Sequence, residues 1–202
     1  MKKARFITLE GIDGCGKSTQ AKLLAARFKA AGSAVLFTRE PGGTSLAESL
    51  RSVILNPRLK IHPLAELFLY EASRAQHTAE VIRPALAKGK IVVSDRFTDA
   101  TTAYQGYGRK IPIQIVERLN QTATGGLKPD LTLLLNVSQK FILYRTRERT
   151  KDRMEKEKGA FQRRVKAGYR AIARREPARV KTVNGEGTIS EVAERIWQAV
   201  HA

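Results

Sequence analysis

The chain has 202 residues, 42% of them hydrophobic, which suits one globular domain that buries a core of its own. Cys15 is its one cysteine and its three histidines are scattered, which excludes an internal disulfide and a cysteine or histidine metal cluster. The formal net charge of +18 favours an anionic partner, either a nucleic acid or a nucleotide polyphosphate.

The predicted elements begin with a short apolar strand at residues 6–9. This stretch is too short to be the core of a signal peptide, although basic residues precede it. No apolar run elsewhere approaches the length of a membrane span. We therefore expect a cytoplasmic protein.

A glycine-rich loop follows this strand and leads into a helix predicted over residues 19–31. The spacing G-x-x-x-x-G-K-[ST] is met by Gly11, Gly16, Lys17 and Ser18. Glycines let the backbone turn tightly and bring its N–H groups close to phosphate oxygens. Lys17 can reach the β- and γ-phosphates of a nucleotide, and the Ser18 hydroxyl can bind Mg²⁺. The N-terminus of the predicted helix faces the same anion.

Strands and helices alternate along the rest of the chain. The apolar runs that predict further strands are residues 34–38, 91–94, 131–135 and 180–183. The helices are predicted over about 45–55, 63–88, 112–124 and 139–148, around Phe161, Val165, Tyr169 and Ile172, and from Ile189 to Val200. This alternation predicts a single α/β domain over residues 1–202, a three-layer sandwich whose five-stranded parallel sheet has helices on both faces.

Local signals refine the helix boundaries. Thr44 or Ser45 can cap the helix at 45–55, and Thr188 with Glu191 forms a capping-box pattern before the last helix. Pro84 is expected to bend the long helix in which it lies.

Two segments carry no clear element. Residues 99–108 mix polar and aromatic side chains, and the charged residues 149–159 lack apolar periodicity. We interpret residues 149–159 as a mobile lid.

The carboxyl ends of parallel strands meet at one edge of a sheet, where α/β proteins bind their ligands. The residues that follow the predicted strand ends are Glu10, Gly11, Arg39, Asp95 and Asn136. We expect them to share that edge.

Arginines near this edge indicate which class of phosphate-loop protein the chain is. The sequence has no Asn-Lys-x-Asp motif of GTPases and is short for a helicase core. Its notable arginines are Arg39, Arg51, Arg74 and Arg96. Arginine stays charged and binds phosphate in a bidentate manner, so several arginines beyond the loop imply a second phosphate, that of an acceptor.

The chain resembles the thymidylate kinase family over nearly its whole length. The stretches that carry the resemblance are residues 10–19, 38–44, 70–74 and 95–109, the last containing Asp-Arg and Tyr-Gln-Gly elements. Adenylate, guanylate and uridylate kinases share only the loop and the general layout.

The resemblance implies ATP as the donor, dTMP as the acceptor and Mg²⁺ as the metal. The residues that it assigns to ATP are Gly11, Ile12, Asp13, Gly14, Cys15, Gly16, Lys17, Ser18 and Thr19, with Arg145 lying against adenine. It assigns the metal to Ser18 and Asp95.

For the acceptor, the resemblance implies that Arg96 binds the phosphate and that Arg39 and Arg51 line the same site. Tyr70 stacks on the thymine ring while Arg74, four residues on, reaches a ring carbonyl. That spacing projects both side chains from one helix face.

Three further residues resemble those that surround the nucleoside. Thr101 and Gln105 hydrogen-bond the base, and Tyr104 crowds the sugar 2′ position. Phe68, close to the stacking residue, is expected to pack inside the core.

Catalysis requires no general base, because the second pKa of the attacking phosphate is about 6. The resemblance implies that Lys17, Asp13 and Arg96 hold and neutralise the two polyanions. Gly14 stands where some members carry a loop arginine, and resemblance to the bacterial type that has glycine there implies that the lid supplies the catalytic arginine. Arg149 is the first candidate and Arg153 the second.

Two other functions stay open: another nucleoside monophosphate kinase, and a phosphate-loop protein that binds nucleic acid. The second would use residues 140–181, which hold 16 Lys and Arg against 5 Asp and Glu. A solvated helical surface also accounts for that charge, and no aromatic residues are interleaved for base stacking. We do not expect a nucleic-acid partner, and the family suggests a homodimer.

Cys15 allows two interpretations. Positive potential from the helix N-terminus and from Lys17 would favour a reactive thiolate. Alternatively, the residue is an inert small side chain that stands where alanine is usual and turns into the core.

Overall fold

The computed structural model describes residues 5–145, 152–157 and 159–201. Within these ranges five strands form one parallel sheet in the order β2-β3-β1-β4-β5. The strands are β1 Arg5–Glu10, β2 Val35–Arg39, β3 Ile91–Asp95, β4 Leu131–Asn136 and β5 Val180–Asn184. The predicted α/β sandwich is confirmed, and each predicted strand is present.

Helices cover the sheet. They are α1 Lys17–Ala30, α2 Ser45–Leu55, α3 Pro63–His77, α4 Arg83–Ala87, α5 Thr98–Thr101, α6 Ile113–Thr124, α7 Gln139–Arg145, α8 Gly159–Arg175 and α9 Ile189–His201. The described residues also contain two π-helical turns, Thr78–Ile82 and Thr102–Gly108. No described helix has the length and low charge that crossing a bilayer requires.

Alternation along β1 explains why helices lie on both faces. Ile7 and Leu9 point into the core cluster that contains Leu24 of α1. Phe6 points the other way and meets Phe97 edge to face, with ring centroids 4.9 Å apart. Successive side chains of a strand point to opposite faces of the sheet, so a strand with apolar side chains on both faces must be packed against helices on both.

The strand registers align the carboxyl ends at one edge. Leu9 of β1 and Arg39 of β2 both lie opposite Asp95 of β3, and Glu10 lies opposite Leu134 of β4. The expectation that the residues after the strands meet at one edge is therefore confirmed.

The predicted caps are present. Thr44 accepts a hydrogen bond from Ala47 N at 3.1 Å and caps α2. Thr188 and Glu191 bond each other's backbone N–H before α9, at 3.3 and 2.8 Å. Satisfying these N–H groups fixes where each helix begins.

The long helix predicted over 63–88 is interrupted rather than simply bent. The π-helical turn Thr78–Ile82 separates α3 from α4, and Pro84 lies in the first turn of α4. Proline removes one N–H from the helical ladder, and the wider turn takes up that change.

Residues 99–108, which received no predicted element, are helical. They form α5 and the π-helical turn Thr102–Gly108. A Cβ added to Gly108 would lie 2.7 Å from the Phe161 ring, so a glycine lets α8 approach closely. Because glycine has a low helix propensity, the glycines of this segment made a helix difficult to predict from the sequence.

Three other sequence expectations have different outcomes. Phe68 is 52% exposed, so the expectation that it packs in the core is wrong. Of the helix predicted over 139–148, α7 is described to Arg145, and 146–148 lie outside the described residues. Of the lid predicted over 149–159, residues 152–157 and 159 are described, and Gly159 begins α8.

Candidate active site

One cavity of about 400 Å³ opens at the carboxyl edge of the sheet. The predicted site residues that line it are Asp13, Gly14, Gly16, Lys17, Ser18, Thr19, Arg39, Arg51, Tyr70, Arg74, Asp95, Arg96, Thr101, Tyr104, Gln105 and Arg145. The fold thus brings together most of the predicted donor and acceptor residues. Gly11 and Ile12 line a second, more apolar cavity beneath α8, and Cys15 is buried.

The phosphate loop has the backbone that its glycines predict. Gly11, Gly14 and Gly16 have φ of 142°, 80° and 98°. A Cβ on Gly11 would lie 2.7 Å from the Leu135 carbonyl oxygen, so only glycine fits there. Lys17 Nζ donates to the Ile12 carbonyl at 3.1 Å and lies 4.0 Å from Asp13 Oδ1.

The Cys15 side chain points away from the phosphate side of the loop. It is 1% exposed and belongs to the hydrophobic core cluster with Ile12 and Leu135. Its sulfur lies 3.9 Å from Lys17 Nζ. This packing supports the inert alternative.

Ser18 and Asp95 are adjacent, as a shared metal site requires. Ser18 Oγ donates a hydrogen bond to Asp95 Oδ2. The other carboxylate oxygen, Oδ1, is buried and has no hydrogen-bond partner among the described residues. A hydroxyl beside an unsatisfied carboxylate oxygen is a donor set that suits Mg²⁺, which prefers oxygen ligands. The part of the chain that the structure describes holds no group of three or more His, Cys, Asp or Glu suited to a metal.

Arg96 lies at the centre of a buried charge network. Its Nη2 lies 2.5 Å from Asp13 Oδ1 and donates to Tyr104 OH at 3.1 Å, while Nη1 donates to Tyr169 OH at 2.9 Å. Its φ of 77° is unusual for a residue with a side chain. Such backbone conformations persist where the surroundings hold them and concentrate at functional sites.

Asp13 is held as a carboxylate. Burial raises its pKa, but the charges of Arg96 and Lys17 and the hydrogen bond from Tyr104 outweigh burial, so the pKa lies below the ordinary value. The Tyr104 hydroxyl donates to Asp13 Oδ2 at 2.7 Å. The side chain expected at the sugar therefore also braces the acidic residue of the loop.

Glu10 and Tyr169 belong to this network. Sequence reasoning placed Glu10 at the ligand-binding edge but gave neither residue a role in the site. Glu10 is fully buried and accepts from Phe97 N at 2.7 Å and from Tyr169 OH at 2.8 Å. Burial raises the pKa of Glu10 to about 7, although Arg96, whose Nη1 lies 3.9 Å away, acts in the opposite direction. The one sequence feature that could have indicated a functional role for Glu10 is its charge at the end of an apolar, buried strand.

Arg39, the last residue of β2, and Arg51 of α2 both line the cavity. Arg39 Nη2 donates to both carboxylate oxygens of Glu48, at 3.0 and 2.9 Å, in an exposed pair. Arg51 Nη1 donates to the Pro41 carbonyl at 2.8 Å. Burial and the nearby charge of Arg39 lower the pKa of Arg51. An added anion would relieve the repulsion between the two cations.

Tyr70 and Arg74 line the cavity from one face of α3. Burial, with the charge of Glu66 next in size, raises the pKa of Tyr70, so its phenol is neutral. Arg74 is 2% exposed and is largely held by the protein. The acceptors of its guanidinium are Glu40, Glu71, Asn120 and the Phe97 carbonyl, at 2.9 to 3.1 Å. These contacts use four of its five N–H groups.

Thr101 and Gln105 lie one helical turn apart where α5 runs into the π-helical turn. Thr101 Oγ1 is buried and has no hydrogen-bond partner among the described residues. Gln105 Nε2 donates to Glu66 Oε1 at 2.8 Å. Both side chains line the cavity, so a ligand there would meet an unpaired hydroxyl and an oriented amide.

The three predicted arginines of the lid region have different positions. Arg145 is exposed, lies beside Gly16 and has its guanidinium 5.6 Å from the Phe141 ring centroid. Arg153 donates to the Ile54 carbonyl at 2.7 Å and to Glu66 at 2.5 Å, and it does not line the cavity. Arg149 lies outside the described residues.

Comparison with known proteins gives consistent matches. The model of the thymidylate kinase family matches residues 9–196. The chain is 50% identical over 200 residues to the thymidylate kinase of Syntrophotalea carbinolica, covering 95% of this chain and 93% of that protein. It is 50% identical over 195 residues to the thymidylate kinase of Synechococcus sp. (strain JA-2-3B'a(2-13)), covering 96% and 93%.

A solved structure agrees with these sequence matches. The crystal structure of thymidylate kinase from Ehrlichia chaffeensis has a TM-score of 0.81 and 34% identity, and the match covers 99% of both chains. The sequence and structural matches extend over nearly the whole length, and on this basis the chain belongs to the thymidylate kinase family.

Proposed function

We propose that the cavity binds ATP and dTMP together and that its residues act in the roles given below. As a member of the thymidylate kinase family, the chain is a phosphotransferase that phosphorylates dTMP to dTDP with ATP as donor. The observation that supports the residue roles is one continuous cavity that runs from the phosphate loop to Thr101 and Gln105.

The donor end is the phosphate loop. Its left-handed glycines expose backbone N–H groups at the start of α1, where an anion is also favoured by the helix dipole. Lys17 exchanges its carbonyl contact with Ile12 for phosphate oxygens. Arg145, exposed beside Gly16, covers the adenine by stacking its guanidinium on the ring.

The metal position is formed by Ser18 and Asp95. The feature that fits a cation is the buried Oδ1 of Asp95, which has no hydrogen-bond partner in the described part of the chain. These two residues would hold Mg²⁺. When bound, the ion supplies neutralisation of charge on the β- and γ-phosphate oxygens.

The acceptor phosphate lies against Arg96, with Arg39 and Arg51 on its other side. Arg96 is preorganised, because Asp13 and Tyr169 fix its guanidinium before a ligand arrives. The ion-pair partner of Arg39 is an exposed carboxylate, Glu48, so Arg39 can turn toward a dianion at low cost.

The base lies between Tyr70 and the residues of the π-helical turn. Tyr70 stacks on the ring, Thr101 and Gln105 bond its edge, and the remaining N–H of Arg74 reaches a carbonyl. Tyr104, fixed by Asp13 and Arg96, fills the space beside the sugar.

The chemical step is then a matter of position and charge. A phosphate oxygen of dTMP is ionised near neutral pH because its second pKa is about 6, so no side chain has to remove a proton. Lys17, Asp13 and Arg96 hold the two substrates in line. The lid contributes the last cation, Arg149 in the first instance and Arg153 in the second, against the charge of the transferring group.

We also propose that the enzyme is a cytoplasmic homodimer. Exposed apolar side chains of α2, α3 and α6 support the dimer: Val53 is 40% exposed, Leu64 40%, Phe68 52% and Ile115 45%. Phe68→Asp should then give monomers in sedimentation velocity, whereas Leu23→Asp, at a 39% exposed residue on α1, should not.

The substrate assignment is tested by coupled ADP release against a panel of nucleoside monophosphates. We expect dTMP to be the best acceptor and dUMP to be weaker by roughly 10- to 200-fold, because one methyl group in a pocket contributes that much. Lys17→Ala is the inactive control. Equal or better turnover of AMP, GMP or UMP would overturn the assignment.

A further inference from the structure

Glu66, in the first turn of α3, receives hydrogen bonds from three side chains in two distant segments of the chain. It is fully buried. Gln105 Nε2 lies 2.8 Å from Oε1, Arg109 Nε and Nη2 lie 3.0 and 2.9 Å from the two oxygens, and Arg153 Nη1 lies 2.5 Å from Oε2. The carboxylate thus joins the base-binding turn to the described segment 152–157.

The charge state of Glu66 fixes what it can do. Burial raises its pKa, but the hydrogen bonds from Arg109 and Gln105 and the charges of Arg109 and Arg153 outweigh burial, so the pKa lies below the ordinary value. An ionised carboxylate only accepts hydrogen bonds. It can therefore bind the NH₂ end of the Gln105 amide but not the carbonyl end.

This one-sided pairing leaves the other end of the amide free for a ligand. Gln105 lines the cavity, and no donor among the described residues reaches its Oε1. An amide whose NH₂ is held by a carboxylate presents its oxygen elsewhere as an acceptor. The neighbouring Thr101 hydroxyl is different, because a hydroxyl rotates to donate or to accept and so selects neither.

Pyrimidine rings differ at the atom that would face this oxygen. Thymine and uracil carry an N3–H donor, whereas N3 of cytosine is an acceptor. A fixed carbonyl oxygen accepts from the first two and repels the third, and a site built to bond one pattern rejects the other strongly. The orientation of the Gln105 amide would therefore determine whether the site binds thymine and uracil or cytosine.

We propose that Glu66 is a positioning residue that fixes the Gln105 amide so that the site takes pyrimidines with an N3–H and rejects those without one. The inference rests on the proposed function, because it requires dTMP in this cavity. Arg109 and Arg153 serve it by keeping the carboxylate ionised, which makes docking of segment 152–157 part of base selection.

The test is the ratio of kcat/KM for dTMP to that for dCMP in wild type and in Glu66→Gln. The glutamine amide offers both a donor and an acceptor, so Gln105 is free to turn over and present its NH₂ to N3 of cytosine. We expect the ratio to fall by about tenfold or more, the equivalent of one hydrogen bond gained or lost. The KM for ATP should change little.

Two matched variants separate positioning from structural support. Glu66→Asp still only accepts hydrogen bonds, so the ratio should stay near the wild-type value even if activity falls. In Arg109→Gln the Arg153 guanidinium still pairs with Glu66, so the carboxylate still only accepts hydrogen bonds and activity should fall equally toward both acceptors. A purely structural Glu66 would instead give one common loss in all three variants, with the ratio unchanged.

Failure of folding would not leave the question open. Should Glu66→Gln prove unfolded by circular dichroism, Glu66→Met with Arg109→Met replaces one buried pair by apolar side chains, a change that proteins often tolerate, and leaves Arg153 its hydrogen bond to the Ile54 carbonyl. The ratio should fall in that variant too, and an unchanged ratio overturns the inference. If wild type itself does not prefer dTMP to dCMP, the proposed function fails instead.

Discussion

Arg96 of the β3 edge and Asp13 of the phosphate loop form an ion pair with 2.5 Å between Nη2 and Oδ1. The pair ties the predicted acceptor site to the predicted donor site before either nucleotide binds. Glu10 approaches the same guanidinium from the end of β1, at 3.9 Å, without reaching hydrogen-bond distance. Two carboxylates thus share one cation, yet burial raises the pKa of Glu10 whereas the charges of Arg96 and Lys17 hold the pKa of Asp13 below its ordinary value.

The first prediction concerns Glu10 and pH. Its pKa is about 7 in the folded protein and near the ordinary 4.5 when unfolded, so between these values the folded state keeps a proton that the unfolded state releases. Stability from this group is therefore complete below pH 4.5 and is lost as the pH rises through 7. Glu10→Gln removes that loss. Relative to the variant, wild type should lose up to ~3 kcal/mol over this interval in urea unfolding, and parallel pH curves would refute the prediction.

The second prediction concerns Tyr70 and the base. Tyr70→Ala should raise the KM for dTMP through lost stacking, worth roughly 1–3 kcal/mol if it resembles stacking in single-strand binders, and leave the KM for ATP nearly unchanged. Tyr70→Phe keeps the ring and is the matched control. A selective rise in the KM for ATP would place α3 at the donor instead.

Arg74 is a less direct probe of the same pocket. Arg74→Ala should also raise the KM for dTMP, but it removes a buried cation from both Glu40 and Glu71 and leaves Glu40 with His77. Breaking a buried pair in this way typically costs about 3–5 kcal/mol of stability. Its kinetics are therefore interpretable only beside a measured unfolding curve.

The sheet and the phosphate loop were predictable from the sequence because both rest on local patterns. Apolar runs with flanking turns mark the strands, and the loop glycines mark a backbone that few other residues adopt. The π-helical turn Thr102–Gly108 left no such pattern, since its helical form depends on α8 packing against it. Phe68 was wrongly expected in the core because exposure depends on which helix face the fold leaves uncovered.

At the site, the sequence indicates which side chains reach the cavity but not what holds them. Arg74 reads as a ligand to the base, yet most of its N–H groups are bonded to protein. Glu66 and Tyr169 received no role, because their partners are about 40 to 160 residues away in the chain. Hydrogen bonds between residues so far apart depend on the tertiary fold and cannot be predicted from local sequence spacing.

The third prediction concerns the catalytic arginine of the lid. Arg149→Ala should lower kcat by roughly 10³-fold with little change in dTMP binding, as removal of an arginine finger does. Arg153→Ala should have a smaller effect, because Arg153 is bonded to Glu66 and to the Ile54 carbonyl rather than facing the cavity. Single-turnover kinetics measure the chemical step directly and so compare the catalytic losses of the two variants.

The opposite pattern has a definite meaning. A nearly normal Arg149→Ala beside an inactive Arg153→Ala would show that the lid alignment is displaced by about one helical turn. Two active variants would rule out a catalytic arginine at either position.

The last prediction concerns Cys15. The thiol is 1% exposed and packs in the core cluster, and a Cβ on Gly11 would lie 2.9 Å from its sulfur. A thiol needs access as well as a favourable potential in order to react, and this one lacks access. We therefore expect a maleimide to leave the folded protein unmodified and to add one equivalent in denaturant, as judged by intact mass. Cys15→Ala, a small change in side-chain volume, should remain active. Rapid addition to the folded protein, with loss of activity and protection by ATP with Mg²⁺, would instead establish the reactive thiolate and would show that the loop opens enough to expose Cys15.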